Sequence, residues 1–312
     1  MTAPESSAGS VPAIWTELME APLALRFVEA GGIATRVLEA GDGPPLILLH
    51  GTGGHLEAYA RNVARLARSF RVIAYDMVGH GFTDCPDLPY TLDVHADHLR
   101  DLMAALGIER AHLSGESLGG WVAAWVAAHH PEAIDRLVLT TPGNVTAKPE
   151  TMATIRESTL RAVVEASPET VRARLEWLFA PANRHLVSDE LVAVRLAIYT
   201  RPNAEQTVRN VLALQDPETR ARFSWAPEWC GRIAAPTLIV WTSDDPTGTI
   251  EEGRLLEQWI PGSELVNVDG AGHWPQWELP DRFDELHERF LATPPSPGPS
   301  PTPTQTQTGA PR

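Results

Sequence analysis

Ser117 stands in the run G-E-S-L-G-G-W (115–121), with a glycine two places before it and another two places after. A hydroxyl in this setting is either an ordinary turn serine or a nucleophile lifted on a turn too sharp for side chains at its corners. The preceding R-A-H-L-S reads as a strand, and the following W-V-A-A-W-V-A-A-H-H reads as an apolar helix. Ser117 therefore falls on a strand-to-helix turn, which favours the nucleophile. At that turn the N–H of Leu118, opening the helix, points where negative charge would develop on a substrate oxygen.

A serine at its ordinary pKa attacks poorly, so the chemistry needs a base and a group to orient it. His273 follows a strand-like S-E-L-V-N-V and a glycine-rich turn, and is the candidate base. His95, His98, His129, His130 and His287 read as helical, solvated or packing residues. Two neighbours, Asp244 and Asp245, follow the strand-like T-L-I-V-W as candidate orienting acids. A second N–H for the oxyanion is expected from H-G-T-G-G-H (50–55), with Thr52 preferred over Gly53. His50 is expected to hold that loop rather than to react.

These groups need a scaffold, and the chain supplies an alternation of strands and helices. Strand-like P-P-L-I-L-L-H-G, R-V-I-A-Y-D, A-H-L-S-G, I-D-R-L-V-L-T, A-P-T-L-I-V-W and E-L-V-N-V are separated by helical patterns at 57–68, 91–106, 250–260 and 279–291. Such alternation implies a mostly parallel sheet with helices on both faces. Residues 144–232 break the rhythm with helical patterns only, as an inserted cap would. The domain expectation is a core of 14–143 and 233–292, a helical cap at 144–232, and disordered ends at 1–13 and 293–312. The Pro/Thr/Ser-rich tail has too little apolar surface to fold.

The chain has 312 residues, 43% of them hydrophobic, and a formal net charge of −15. That charge argues against nucleic acid, whose phosphates need clustered cations. No apolar run is long enough to cross a bilayer, and the first 25 residues carry no Lys or Arg of the kind that starts a secretory signal. Two cysteines make no disulfide framework, and no Cys/His cluster suggests zinc. A cytoplasmic enzyme without metal or cofactor is expected, acting on a small molecule.

Together, these segments resemble the α/β-hydrolase superfamily over roughly residues 25–292, and Y-D-M-V-G-H-G-F-T-D (75–84) matches its signature too. The resemblance implies an eight-stranded, mostly parallel sheet with a helical cap, and a Ser/acid/His order. The superfamily's W-G-x-x-D pattern, read from Trp241, selects Asp245, although Thr242 stands where glycine is usual. Closer still, G-H-W-P-Q-W-E (272–278) is similar to the G-H-W-A-Q-W-E of meta-cleavage product hydrolases, which cleave a carbon–carbon bond in 2-hydroxy-6-oxo-dienoates. That family implies substrate-binding roles for Asn62, in Y-A-R-N, and for Arg195, in S-D-E-L-V-A-V-R-L-A-I-Y, and commonly forms dimers or larger assemblies. Trp274 would form a hydrophobic wall.

Arg195 has support from geometry as well. At about 100° per residue it falls amid the apolar arc of Leu191, Val192, Val194, Ile198 and Tyr199, where a cation needs an internal carboxylate or a bound anion. An anionic substrate follows. Two departures stand out: Glu116 where the family often has asparagine, and H-G-T-G-G-H for a longer H-G-G-G-P-G loop. Two other classes share these features, a carboxylesterase or lactonase and a ligand sensor on a hydrolase fold. Turnover of a dienol against an aryl ester separates the first, and a Ser117→Ala variant that keeps all biological activity marks the second.

Overall fold

A computed structural model describes residues 13–292. The proline-rich tail and all but the last residue of the N-terminal stretch expected to be disordered lie outside the described residues. Eight strands run β1 Leu23–Ala30, β2 Ile33–Ala40, β3 Pro45–Leu49, β4 Arg71–Tyr75, β5 Ala111–Glu116, β6 Ile134–Thr140, β7 Thr237–Thr242 and β8 Glu264–Val268. They form one sheet in the order β1-β2-β4-β3-β5-β6-β7-β8. The β1–β2 and β2–β4 pairs are antiparallel, and all later pairs are parallel. The turn between β1 and β2 is Gly31-Gly32, both at positive φ, a backbone that glycine adopts without a Cβ penalty.

Why the parallel strands read as continuous apolar runs is visible in their alternation. Leu46, Leu48, Val72, Ala74, Leu238 and Val240 enter the core on one face. Ile47, Leu49, Ile73, Tyr75, Ile239 and Trp241 enter the core on the other. Both faces are covered, so both parities are apolar. The helix Leu118–His129 is almost wholly buried against this sheet. It approaches closely because Gly119 has no side chain: a Cβ there would lie 2.2 Å from the Leu49 carbonyl oxygen.

Between β6 and β7 the described residues hold helices and no strand, chiefly Pro149–Val164, Pro168–Leu178, Asp189–Tyr199 and Ala204–Val211. Ser167 and Ser188 cap the second and third of these by accepting backbone N–H bonds. This segment touches the loops beyond the sheet, with the Leu178 carbonyl accepting from His273 N–H at 2.7 Å. The order in which strands are added reverses between β3 and β5, with β4 on one side of β3 and β5 on the other, the kind of switch point outside which open parallel sheets place their sites. No helix among the described residues is long and apolar enough to cross a membrane.

Candidate active site

Four loops leave the C-terminal ends of β3, β5, β7 and β8 and bring the candidate residues together. Ser117 follows β5 at φ 54 and ψ −117. A side-chain-bearing residue holds such a backbone only where its surroundings enforce it. Here the Ser117 N–H donates to Thr140 O at 3.0 Å, and its carbonyl accepts from Gly143 and Trp121. A Cβ on Gly115 would lie 2.2 Å from the Gly119 oxygen. The turn thus needs both glycines of the motif.

His273 and Asp245 meet over the ends of β8 and β7. Asp245 Oδ1 accepts from His273 Nδ1 at 2.9 Å, and both side chains are buried. Asp244 is exposed and bonded instead to the Ser243 hydroxyl. Thr247, unmarked in the sequence, donates N–H and hydroxyl bonds of 2.8 Å to the same Asp245 oxygen. Burial pushes the His273 imidazolium down, but the charges of Asp245 and Glu116 outweigh it and its pKa is raised.

The His273 loop is fixed by the last residue of its own motif. The buried carboxylate of Glu278 accepts backbone N–H bonds from Gly272 at 2.9 Å, Trp274 at 3.2 Å and Ala180 at 2.9 Å, and from the Asn183 amide at 2.9 Å. A Cβ on Gly272 would come within 2.4 Å of Ala180 N. The G-H-W-P-Q-W-E run therefore both presents His273 and docks it against the helical segment.

Ser117, Leu118, Thr52, Glu116, His273 and Trp274 line one cavity of about 670 Å³, its open mouth included. Gly53 lines a neighbouring cavity instead, and its carbonyl accepts from the Tyr199 hydroxyl at 3.3 Å. His50 is buried, with Nδ1 on Gly51 O and Nε2 accepting from Met77 N–H. Burial lowers its pKa to about 3, and it holds the loop as a neutral ring. Glu116 turns to His273, its Oε1 lying 3.1 Å from Nε2. Burial raises the Glu116 pKa to about 7, against the opposing charge of His273.

Arg195 is 1% exposed, on the arc that the helical periodicity gave it. Its guanidinium stands 5.2 Å over the Trp274 ring, and Nη1 donates to the Tyr199 hydroxyl at 3.3 Å. Nε and Nη2 have no partner. Arg195 is not itself among the lining residues of the Ser117 cavity.

Asn62 departs from its expected role. Its amide donates to Asp284 Oδ1 at 3.0 Å, joining the helices Ala60–Leu66 and Pro280–Leu291, and it is not among the residues lining the cavity. Among the lining residues that the sequence did not single out are Thr247 and Arg174. Arg174 was findable: Val171, Arg174, Leu175 and Leu178 form the buried stripe of their helix, at the same spacing that drew attention to Arg195.

Residues 44–280 match the model of the alpha/beta hydrolase fold family. The 2-hydroxymuconate semialdehyde hydrolase of Pseudomonas sp. strain CF600 is 34% identical over 277 residues, covering 86% of this chain and 93% of its own. The crystal structure of a meta-cleavage product hydrolase mutant superposes with a TM-score of 0.75 at 31% identity, covering 88% of this chain and 98% of that one. An enol-lactonase from Burkholderia xenovorans LB400 superposes with a TM-score of 0.72 at 25% identity, covering 87% of this chain and 100% of that one. With a family match spanning most of the chain, and a nucleophile-type turn, a His–Asp pair and a cavity at the strand ends to explain it, this protein belongs to the alpha/beta hydrolases and is similar to their meta-cleavage product hydrolases.

Proposed function

We propose that the chain hydrolyses a carbon–carbon bond in a 2-hydroxy-6-oxo-dienoate, with Ser117, His273 and Asp245 as its triad. The observation that carries this reading is Arg195: a buried cation beside Trp274 of the cavity wall, bonded only to a tyrosine hydroxyl, with Nε and Nη2 buried and without a partner. That pair of donors matches a carboxylate in bidentate fashion. Similarity to hydrolases of this class supports the same substrate.

In the proposed reaction Arg195 holds the carboxylate and enol end while the dienol ketonises, with His273 moving the proton. Ser117 then attacks the C6 carbonyl, giving its proton to His273 Nε2, while Asp245 stabilises the imidazolium. The oxyanion is received by the N–H groups of Thr52 and Leu118. The C5–C6 bond breaks, the carbon leaving group takes the proton from His273, and water activated by His273 frees the acyl serine. Asn62, bonded to Asp284, takes no part. The scheme uses only the chain's own groups and takes place in the cytoplasm.

The test compares a coloured 2-hydroxy-6-oxo-dienoate with an aryl ester. The dienoate should be cleaved with the higher kcat/KM, and Ser117→Ala should abolish its hydrolysis. Rapid ester turnover with an untouched dienoate would instead establish the esterase or lactonase reading, which the likeness to an enol-lactonase favours.

A further inference from the structure

Resting on that reading, we propose that Arg174 forms a second anion site in the cavity, so that the substrate carries two negative groups, the second on its C6 side. Arg174 belongs to the helix Pro168–Leu178 and lines the cavity shared by Ser117 and His273. It is 6% exposed. Its Nε donates to Thr159 Oγ1 at 3.3 Å, and its guanidinium lies 4.9 Å over the Trp177 ring. Nη1 is buried and has no partner. Among the described residues no carboxylate pairs with it.

A buried guanidinium without a counter-charge is costly, and its ordinary resolution is a bound anion. Burial, helped by the like charge of Arg195, lowers the Arg174 pKa to about 10, which leaves it charged at neutral pH. Packing does not explain the residue either, since leucine or methionine would fill that stripe without the desolvation penalty.

Two arginines need not mean two anions, because a pair can clamp one carboxylate. The pattern of open donors argues against that here. The Nε and Nη2 of Arg195 form one edge, sufficient for both oxygens of a carboxylate. Arg174 Nη1 is left over from that pairing, and Arg174 lines the Ser117 cavity with Met152, Ile155 and Leu178 as well as a second recess on its Trp177 side. Thr159 and Tyr199, the partners that hold the two arginines, both approach Gly53: a Cβ there would lie 3.1 Å from the Tyr199 hydroxyl oxygen and 3.7 Å from Thr159 Cγ2. The two arginines are thus held toward the oxyanion loop from two different helices, Arg174 through Thr159 and Arg195 through Tyr199.

Two 2-hydroxy-6-oxo-dienoates test this, one with a methyl group at C6 and one whose C6 chain ends in a second carboxylate. The wild-type enzyme should favour the dianion by at least about 10-fold in kcat/KM, the scale of one charge-assisted hydrogen bond. Arg174→Gln should lose about 10- to 100-fold on the dianion and stay within about threefold on the methyl compound. Arg174→Lys should keep part of the preference, which separates charge from folding. A wild-type preference for the methyl compound overturns the proposal, as does an equal loss on both substrates in the glutamine variant. If that variant does not fold, the wild-type preference decides alone. If neither dienoate is cleaved but an aryl ester is, the carbon–carbon reading fails by itself. Arg174 is then read from competition: glutarate should inhibit the ester reaction about 10-fold better than butyrate, and equal inhibition removes the second site.

Discussion

His273 is bracketed by two carboxylates, Asp245 at 2.9 Å from Nδ1 and Glu116 at 3.1 Å from Nε2. Both charges help to raise its pKa, and its neutral form is the base that the proposed reaction needs. Replacing Glu116 with glutamine removes one raising charge while keeping the volume. The His273 pKa then falls, the neutral imidazole persists to lower pH, and the acid limb of the kcat/KM profile should move to lower pH. An acid limb that stays in place would assign Glu116 to packing alone. Legibility in the sequence follows the range of the contacts. Ser117 and His273 stand in short runs that mark them as candidates, and the superfamily pattern read from Trp241 picks Asp245 over Asp244, although the Asp245–His273 bond itself spans 28 positions. Asn62 pairs with Asp284 222 positions away, and the short run around Asn62 carries no trace of that bond. Glu116 was visible as a departure, but its contact with His273 depends on how two loops meet.

Two tight element contacts place the candidate nucleophile and base. The first is the close approach of the helix Leu118–His129 to β3, which Gly119 permits. Gly119→Ala puts a methyl group against a backbone oxygen that cannot swing away. It should cost at least about 1–3 kcal/mol, read as a lower urea midpoint, with activity falling more than stability as Ser117 shifts. The second is the Glu278 carboxylate beneath the His273 loop. Glutamine there turns an NH₂ toward backbone donors that now share one oxygen. Glu278→Gln should cost about 1–3 kcal/mol and lower kcat with little change in KM, because the base rather than the binding surface is loosened. An unchanged kcat in the folded variant would limit Glu278 to stability. The parallel strands were readable because both of their faces are apolar. The β1–β2 hairpin was not read segment by segment, since β1 exposes four successive residues, Ala24 to Phe27, and lacks a continuous buried run.

Across the molecule, protonation is unevenly built in. Seven of the eleven histidines have lowered pKa values through burial: His50, His55, His80, His95, His98, His112 and His287. Burial brings His50 and His80 down to about 3, and His98 and His287 to about 4. Unfolded histidines titrate near ~6.5, so below that pH the unfolded chain binds protons that the fold refuses. Stability is therefore lost as pH falls from about 6.5 toward the folded values, with a slope of about 1.4 kcal/mol per pH unit for each histidine so affected. Three buried carboxyls act in the other direction. Asp76 is raised to about 6, Glu116 to about 7 and Asp284 to about 8. Their protonated forms favour the fold at low pH, and that contribution is lost as pH rises through those values. The melting temperature should thus peak near neutral pH and fall more steeply on the acid side. His95 isolates one proton of that slope. Both of its ring nitrogens are buried without partners, and it packs between the rings of His80 and Tyr90. His95→Phe keeps an aromatic ring there and removes the titration. Relative to wild type, it should gain stability at pH 5 and much less at pH 7.5, as measured by urea unfolding at both. An equal shift at the two pH values would mean that His95 keeps a comparable proton affinity in the folded and unfolded chain.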